Sequence, residues 1–451
     1  MSALPFLFDV VVFDLDGTLV ATDRFWVDAA RAGARRAFAE LGIERAMPTG
    51  SEWMSLVGLP LAQGFDALFA DLSPAQRKVV LDRCVEEENT ALSAGRAALI
   101  PGVRETLELL RARGVRLGIA SNCGATYLHS MMHELGLAKW VEEGRCLDSP
   151  GVRSKAGMVD DLLRHFGTRA AVMVGDRAGD RDAAWQNGLP HVHFARGFAT
   201  ECETVECEAT IDDMGALVPR LERRARWLHD SLERLGFHAD SGPRSLGITG
   251  HTGSGKTLVA RDVQRLLAAR GRNVVLLALD AFQRPEVTAQ DLTSTAFSPA
   301  NRPLEHLKHG YDVDRLVATV LEPHARRETI TVDVGGAKSE RVEGGRGEAP
   351  LVDGGLVTLR PDDVLVLVGP FLLHPELRAK LDRVVFLEAS DNVCLRRIAG
   401  RDARDAGPEA LLRVRRSSLP AQRGFDQLVP PATTADLVLD AENALGPDRV
   451  A

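Results

Sequence analysis

Two short apolar strands, one in each half of the chain, run straight into polar turns that contain glycine. The first covers 9–15 and ends in Asp14-Leu15-Asp16-Gly17, and the second leads into a Gly-x4-Gly-Lys-Thr loop at 250–257. Strands that are apolar on both faces are typical of parallel sheets covered by helices. Open sheets of this kind place their active sites at the carboxyl ends of the strands. The chain is therefore predicted to hold two α/β domains, each a doubly wound parallel sheet.

The pattern between these turns predicts where each domain begins and ends. Residues of about 20–95 have apolar positions at helical spacing, whereas helix and strand patterns alternate after Pro101. The helical block therefore indicates an insertion into the first sheet, and the first domain is predicted over 1–215. An amphipathic helix and a linker with Gly, Ser and Pro follow over 216–245, and the second domain covers 246–451.

Composition and charge favour small-molecule partners over membranes and nucleic acids. The 451 residues carry a formal net charge of −8, and 45% of them are hydrophobic. An acidic chain is a poor match for a polyanionic nucleic acid. No apolar run approaches the ~20 residues that span a bilayer, and none of the six cysteines forms a Cys-x-x-Cys pair. We therefore expect a cytoplasmic protein that acts on small molecules. The sequence does not indicate the oligomeric state.

Polar side chains follow several predicted strands of the first domain. Two carboxylates lie two residues apart at the end of the first strand, a serine follows the second, and an aspartate follows a later one. A lysine opens the helix between the last two strands, and one further aspartate follows them all. These residues are Asp14, Asp16, Ser121, Lys155, Asp176 and Asp180. Because parallel strands end at one edge of a sheet, we expect these side chains to form one site.

In these motifs the first domain resembles the haloacid dehalogenase superfamily of phosphatases. The motifs occur in the family's order across 8–215, and the helical insertion matches the cap of phosphoglycolate-phosphatase-like members, a Rossmann-like core with a helical cap. The resemblance implies that Asp14 attacks phosphorus to form an aspartyl-phosphate, while Asp16 protonates the leaving oxygen and then activates water. Ser121 would bind a phosphate oxygen. A halide-displacing member is the alternative, and Asp16 argues against it because the phosphatases use that residue as acid and base.

The same resemblance implies a Mg²⁺ site. Asp14, Asp176 and the main-chain carbonyl of Asp16 would hold the ion, a hard cation that prefers oxygen ligands. Lys155 would neutralise charge on the nucleophile and the phosphoryl group. Asp180 would orient Lys155 or the surroundings of the metal.

The loop at 250–257 is a phosphate-binding signature in the required strand–loop–helix context. Its glycines let main-chain N–H groups surround phosphates, and the helix that follows adds the positive end of its dipole. Lys256 would reach the β- and γ-phosphates of ATP or GTP, and Thr257 would bind Mg²⁺. The predicted nucleotide-binding residues are Gly250, Gly253, Ser254, Gly255, Lys256 and Thr257.

A strand predicted over 274–279 ends in Asp280-Ala281-Phe282-Gln283-Arg284, and Arg396-Arg397 and Arg401-Asp402 follow later in the chain. With these motifs the second domain, over about 246–440, resembles the uridine kinase family, which includes phosphoribulokinase and pantothenate kinase relatives. The resemblance implies a P-loop kinase fold, with Asp280 as the base for an acceptor hydroxyl and a possible Mg²⁺ ligand. Arg396, Arg397 and Arg401 match the family's arginine-bearing lid, which would stabilise charge on the transferring phosphoryl group. A solvated helix face is the alternative for each of these arginines.

Two positions depart from the kinase pattern. Val368 stands where many members have an acidic residue before the glycine at the end of a strand, and Gln283 replaces the aromatic that usually follows Asp-x-Phe. These differences argue against uridine or cytidine as the acceptor. They also leave open a domain that binds nucleotide without transferring phosphate.

The motifs together predict a bifunctional enzyme. One domain would remove phosphate from a small phosphorylated metabolite, and the other would phosphorylate a small hydroxylated acceptor. Two alternatives stay open: a phosphatase regulated by a non-transferring kinase-like domain, and a nucleic-acid end-processing kinase-phosphatase. A cap that closes over small substrates argues against the second alternative.

Weaker signals have structural interpretations. His191 and His193 are a possible metal pair, but they alternate as in a strand, which favours a structural role. Phe25, Trp26 and Trp53 either pack in the core of the inserted helices or line their inner face, and core packing is favoured.

Overall fold

The computed structural model describes residues 4–446 except for 201–202, 204, 239–240, 285–302, 335–354, 403–410 and 413. The chain forms two compact units, of which one is Phe8–Leu221 and the other combines Met1–Leu7 with Glu222–Ala451. In the described part of the chain, no helix combines the length and the apolarity needed to cross a membrane.

A six-stranded parallel sheet forms the centre of the N-terminal unit. Its strands are β1 (Val10–Phe13), β2 (Arg116–Ala120), β3 (Glu143–Arg145), β4 (Ala171–Gly175), β5 (His191–Phe194) and β6 (Ala209–Ile211). They pair in the order β3-β2-β1-β4-β5-β6, with β1 between β2 and β4. All four residues of β1 are buried, which explains why the strand is apolar on both faces.

Four helices follow β1 before the chain returns to the sheet, and we call them the cap helices. They are α1 (Trp26–Leu41), α2 (Gly50–Met54), α3 (Leu61–Leu68) and α4 (Pro74–Ser93). The side chains of Thr49 and Ser73 cap α2 and α4, and each accepts a hydrogen bond from a main-chain N–H three residues on. These caps fix where the two helices begin.

The interior of the cap helices is aromatic. Trp53 is fully buried and packs with Phe65 and Phe69, whose ring centroids lie 5.9 and 5.7 Å from that of Trp53. Phe25 and Trp26 are also buried, and Trp26 packs edge-on against Trp53 at 5.9 Å. Core packing therefore describes Phe25 and Trp53, whereas Trp26 also lines a pocket described below.

The remaining helices of this unit cover the sheet. They are α5 (Val103–Ala112), α6 (Ala125–Glu134), α7 (Lys155–Phe166) and α8 (Ala178–Trp185), and α9 (Leu217–Arg234) runs on into the second unit. Short 3₁₀ turns lie at Thr22–Arg24, Leu137–Lys139 and Met214–Ala216. One core, which packs α7 and α8 against the sheet, is built from residues such as Val159, Leu162 and Met173.

The C-terminal unit contains a second parallel sheet. Its strands are β7 (Ser245–Gly250), β8 (Val274–Ala278), β11 (Val364–Val368), β12 (Arg383–Glu388) and β13 (Leu437–Asp440), in the order β13-β12-β7-β11-β8. Two further strands, β9 (Ile330–Val334) and β10 (Gly355–Leu359), pair with each other in antiparallel fashion. The prediction of α/β architecture with two parallel sheets is confirmed.

Helices surround this second sheet. They are α10 (Lys256–Ala268), Pro303–Gly310, Val313–Leu316, Glu322–Ala325, Pro375–Arg378, Asp391–Asp402, Leu419–Leu428 and Pro431–Thr434, with a 3₁₀ turn at Leu279–Phe282 and π-helical turns at Val317–Leu321 and Val414–Ser418. Two buried clusters fill the unit, and both include residues of β11.

The structure adjusts several predicted bounds. The first strand ends at Phe13 rather than at residue 15, because the chain bends at Leu15 and Asp16 forms an isolated bridge with Val20. The strand predicted to end at Leu279 ends at Ala278, where the 3₁₀ turn begins. The segment 335–355 is glycine-rich and polar, which predicts a hairpin or a mobile loop, and apart from Gly355 it lies outside the described residues.

Candidate functional site

The carboxyl ends of β1 and β4 bring the first group of predicted residues together. Asp14 follows β1 and Asp176 follows β4, and these two strands are neighbours in the sheet. Connections from β1 and β4 lead to opposite sides of the sheet at this point, which is where open α/β sheets form a binding crevice. Ser121, which is buried, directly follows β2 on the other side of β1.

Three buried carboxylates form a cluster in this crevice. Oxygen atoms of Asp14, Asp176 and Asp180 lie within 4.8 Å of one another. All three residues are at most 1% exposed, and Oδ2 of Asp14 has no hydrogen-bond partner. A buried carboxylate oxygen without a partner is costly. A hard divalent cation would satisfy such a group of oxygen donors, so the cluster fits a Mg²⁺ ion. The resemblance implies that Asp180 orients Lys155 or the surroundings of the metal. In the structure, a carboxylate oxygen of Asp180 lies in the cluster itself.

Lys155 connects two of these carboxylates. Its Nζ atom donates to Oδ1 of Asp14 at 2.6 Å and to Oδ1 of Asp180 at 2.5 Å. The lysine begins α7, and Ser154 caps that helix by accepting from Gly157 N. Burial alone would lower the pKa of Lys155, but the carboxylates of Asp14 and Asp180 outweigh it and raise that pKa above its ordinary value. The ammonium group is therefore held charged beside Asp14.

The acidic groups repel one another and are poorly solvated. Burial, and then the charge of Asp180, raises the pKa of Asp14 well above its ordinary value, against the opposing effect of Lys155. The same two causes raise the pKa of Asp176 to about 7. Both carboxylates therefore need added positive charge to stay ionised near neutral pH.

Asp16 is held by two hydroxyl groups that the sequence analysis did not single out. Thr22 Oγ1 and the Tyr127 hydroxyl both donate to Asp16 Oδ1, each at 2.6 Å. Burial raises the pKa of Asp16, and the two hydrogen bonds oppose that effect. Both hydrogen bonds hold the same oxygen of Asp16, and the residue also lines the pocket described next.

Small residues allow the chain to approach Asp176 closely. Gly17 has a φ of +78°, and a Cβ atom at that position would lie 2.5 Å from Asp176 Oδ2. That oxygen accepts from Phe198 N at 2.5 Å, and Thr18 Oγ1 donates to Asp176 Oδ1 at 3.1 Å. Only glycine fits at position 17, because any side chain there would collide with the carboxylate and strain the backbone.

A pocket of about 40 Å³ lies between the cap helices and the strand ends. Asp16, Ser121 and Tyr127 line it from the core, whereas Trp26 and Glu88 line it from the cap helices. Glu88 on α4 is 5% exposed, and burial with the nearby charge of Asp16 raises its pKa to about 8. Glu88 lies four positions after the buried Cys84, so helical spacing places the two residues on the same face of α4. The sequence analysis did not single out Glu88, because it follows two other glutamates.

Two core residues hold the loop between α2 and α3, residues 55–60, which we call the cap loop, over this pocket. Asn122 Nδ2 donates to the carbonyl of Gly58 at 3.0 Å, and Arg177 Nη1 donates to the carbonyl of Val57 at 2.6 Å. Arg177 is itself paired with Glu203 at 3.0 Å. The loop that encloses the pocket is thus tied to the edge of the sheet at two points.

The glycine-rich loop of the second unit joins β7 to α10. Gly250, Gly253 and Gly255 have φ values of +144°, +88° and +97°, which side chains rarely adopt. Lys256 Nζ donates to the carbonyls of Gly250 and His251 at 3.0 and 2.8 Å. The loop therefore curls around its own lysine, and Ser254 within it is buried.

Neighbouring helices fix this loop. Gln422 Oε1 accepts from Thr252 N at 2.8 Å, and His251 Nε2 lies 2.8 Å from Asp426 Oδ2. Arg397 donates to the carbonyl of Ser254 at 3.3 Å, so it reaches the loop.

The other predicted residues of the second unit are more scattered. Asp280 is exposed in the turn after β8 and accepts from the Tyr311 hydroxyl at 3.2 Å. Thr257 is exposed and Arg396 half-buried. The side chain of Arg401, in helix Asp391–Asp402, lies outside the described residues.

The two histidines of β5 differ in burial. His191 is fully buried and His193 is half-buried. The cluster of potential metal ligands found within the described part of the chain contains neither of them.

Comparison with known proteins identifies the family of the N-terminal half. The family model for haloacid dehalogenase-like hydrolases matches residues 11–194. A phosphoglycolate phosphatase from Synechococcus elongatus is 30% identical over 42% of this chain and 84% of its own length. One from Agrobacterium fabrum is 27% identical over 49% of this chain and 95% of its own length.

A solved structure is similar to the same half. It is described as a predicted phosphoglycolate phosphatase from Haemophilus somnus 129pt, with 21% identity, a TM-score of 0.42, and coverage of 47% of this chain and 97% of that chain. The buried carboxylates after β1 and β4 lie inside the span of the family model. Through its N-terminal half, the chain belongs to the haloacid dehalogenase-like hydrolases.

Proposed function

We propose that the N-terminal unit is a Mg²⁺-dependent phosphatase that works through an aspartyl-phosphate. The observation that carries this proposal is the position of Asp14. One of its oxygens is bound by Lys155, and the other is buried without a partner beside Asp176 and Asp180. A nucleophilic carboxylate that meets an anionic phosphate needs added positive charge, which Lys155 and a Mg²⁺ ion held by the cluster would supply.

The chain's own residues bind and orient the phosphoryl group. Asp14, Asp176 and the carbonyl of Asp16 would hold Mg²⁺, which when bound would offset the repulsion between nucleophile and phosphate. Ser121, at the end of β2, would donate to a phosphate oxygen. Lys155 would spread its charge between Asp14 and the incoming phosphoryl group, with Asp180 fixing its position.

Proton transfer falls to Asp16. An Asp14 oxygen attacks phosphorus, the phosphorus–ester oxygen bond breaks, and Asp16 gives its proton to the departing oxygen. The ionised Asp16 then takes a proton from water as that water attacks the aspartyl-phosphate, which frees inorganic phosphate and regenerates Asp14. Thr22 and Tyr127 hold Asp16 in place for both transfers.

The small pocket favours a low-molecular-weight phosphomonoester over a nucleic-acid end. Its volume of about 40 Å³ admits only a few non-hydrogen atoms beyond the phosphoryl group. The similar proteins cited above carry the name phosphoglycolate phosphatase, and 2-phosphoglycolate is a phosphomonoester of this size. We propose action on soluble metabolites of the cytoplasm.

The test is release of inorganic phosphate from p-nitrophenyl phosphate and a panel of small phosphomonoesters with Mg²⁺. Asp14→Asn keeps the shape of the nucleophile and should reduce turnover by at least about 10³-fold. Asp28→Asn, an exposed change on α1, is the matched control and should retain activity. Unchanged turnover in Asp14→Asn would refute the proposal.

A second activity is proposed for the C-terminal unit because of its glycine-rich loop. The loop would bind the phosphates of ATP or GTP once Lys256 leaves the carbonyls of Gly250 and His251. With Mg²⁺ held by Thr257 and Asp280, the unit would transfer phosphate to a small hydroxylated acceptor. Asp280 would act as base, and Arg396, Arg397 and Arg401 would stabilise the transferring group.

Val368 motivates the alternative for this unit, which is nucleotide binding without transfer. That residue is buried at the end of β11 and offers no metal ligand. Calorimetry with ATP and Mg²⁺ should detect binding that Lys256→Ala removes and Lys380→Ala, which loses only a surface pair with Glu322, retains. Transfer of ³²P to an acceptor from a panel of alcohols would favour the kinase, and binding without transfer would favour the regulatory domain.

A further inference from the structure

One carboxyl group in the pocket has no part in the proposed chemistry. Glu88 lies on α4, is 5% exposed, and lines the pocket together with Asp16 and the aromatic residues Trp26 and Tyr127. None of the described residues that line this pocket is a lysine, an arginine or a histidine. The chamber that receives the leaving group is therefore acidic and partly aromatic.

Glu88 differs from the two glutamates that precede it. Glu86 and Glu87 lie at the surface of α4, and both form ion pairs with Arg36. Glu88 faces inward, and the side chain of Trp26 is its hydrogen-bond donor. No cationic partner of Glu88 occurs among the described residues.

A buried carboxyl group without a cation is unfavourable in its charged form. Burial and the charge of Asp16 accordingly raise the pKa of Glu88 to about 8. A ligand that brings a positive charge into the pocket would supply the missing partner. Aromatic rings such as those of Trp26 and Tyr127 also attract cations, which adds to the same preference.

We propose that the pocket selects phosphomonoesters whose leaving group carries an ammonium group, with Glu88 as its counter-ion. This assignment rests on the proposed phosphatase and specifies its substrate class. A leaving group with a carboxylate, such as glycolate, would instead meet Glu88 and Asp16 with no cation from the pocket lining to balance it. Because the pocket is small, phosphorylated short amino alcohols are the members of this class that it would hold best.

Three esters with the same two-carbon skeleton test the proposal. Phosphoethanolamine carries an ammonium group, ethylene glycol monophosphate is neutral at that end, and 2-phosphoglycolate carries a carboxylate. The kcat/KM for phosphoethanolamine should exceed that for 2-phosphoglycolate by about 10-fold or more, with the neutral ester between them. p-Nitrophenyl phosphate serves as a reference that does not use the ammonium contact.

Glu88→Gln preserves the shape of the side chain and removes its charge. It should reduce the preference for phosphoethanolamine over ethylene glycol monophosphate by about 10-fold, and this ratio is independent of any change in overall turnover, which p-nitrophenyl phosphate reports. Glu86→Gln, on the exposed face of the same helix, should leave the preference unchanged.

The outcomes separate this inference from the proposed function. Hydrolysis of p-nitrophenyl phosphate with equal or better use of 2-phosphoglycolate would overturn the ammonium assignment and leave the phosphatase intact. A preference for phosphoethanolamine that survives Glu88→Gln would overturn the role of Glu88. No hydrolysis of any ester, p-nitrophenyl phosphate included, would refute the phosphatase and the inference with it.

Discussion

The Nζ atom of Lys155 lies 2.6 Å from Oδ1 of Asp14, although 141 positions separate the two residues in the sequence. The pair is buried, and Asp180 bonds the same ammonium group from the other side. Removing one partner of a buried ion pair is strongly destabilising, because the charge that remains has no water to solvate it.

Replacing Lys155 with methionine should therefore destabilise the folded protein. Without a bound metal, the free energy of unfolding should fall by about 3–5 kcal/mol, because Asp14 and Asp180 lose their cation. Chemical denaturation measures this change, and Lys78→Met, on an exposed lysine, is the control. Adding Asp180→Asn to Lys155→Met should recover part of the loss, since it removes one of the stranded charges. A double variant as unstable as the sum of its parts would contradict the coupling.

The motifs at strand ends could be predicted because each is local. Asp14 with Asp16 and the loop at 250–257 are short patterns next to strands, and parallel topology then brings distant strand ends together. Asp14, Lys155, Asp176 and Asp180 do meet in the structure, while their catalytic roles stay predictions.

The residues that sequence reasoning missed act across elements that no local pattern connects. Thr22 and Tyr127 reach Asp16 from the start of the cap and from α6, and Tyr127 lies 111 positions away from it. Glu88 was hidden among three successive glutamates, and only the register of α4 decides which of them faces inward. In the second unit, the motifs do not determine what each side chain contacts. Asp280 is exposed, and Arg397 donates to main-chain carbonyls.

Removing the Tyr127 hydroxyl should weaken acid catalysis selectively. In Tyr127→Phe, Asp16 keeps Thr22 but loses its second donor, so its proton is less well placed. Alkyl phosphates, whose leaving oxygens need a proton, should lose about 10-fold or more in kcat, whereas p-nitrophenyl phosphate should lose less. Steady-state kinetics with both classes of ester measure the difference. Tyr127 is one of two tyrosines in the chain, and Tyr311→Phe in the other unit is the control. Equal losses for both classes would indicate a purely structural role.

Stability at mildly acidic pH should depend on His191. Burial lowers its pKa in the folded protein from 6.5 to about 4. Below pH 6.5 the unfolded chain therefore binds a proton that the folded chain does not, and the contribution of His191 to stability falls as the pH drops toward 4. The loss amounts to about 3 kcal/mol over that window.

Comparing wild type with His191→Phe isolates this effect from other titrating groups. Urea unfolding at pH 7 and at pH 4.5 should show a smaller loss of stability in the variant. His133→Phe, at a histidine that is largely exposed, should follow the wild type. An identical pH dependence in His191→Phe and wild type would show that His191 is solvated or protonated in the folded state.

Loosening the cap loop should change substrate binding more than the chemical step. Arg177→Met removes the hydrogen bond to the Val57 carbonyl and the ion pair with Glu203. The KM for small phosphomonoesters should rise about 3- to 10-fold, with a smaller change in kcat, because closure over the substrate is less favourable. Arg164→Met, which disrupts a surface pair with Asp160, is the control. A large fall in kcat at unchanged KM would place Arg177 in the chemical step instead.

The cap helices enter the chain between β1 and β2, directly after Asp14 and Asp16. The groups that would handle the phosphoryl moiety are thus supplied by the sheet edge, whereas much of the wall around the leaving group comes from one contiguous inserted segment. During divergence, substitutions in that segment can redirect substrate choice while the ancestral reaction centre stays untouched. Two descendants of one ancestor can therefore catalyse the same reaction and release different alcohols, because the residues that react and the residues that contact the leaving group can change independently.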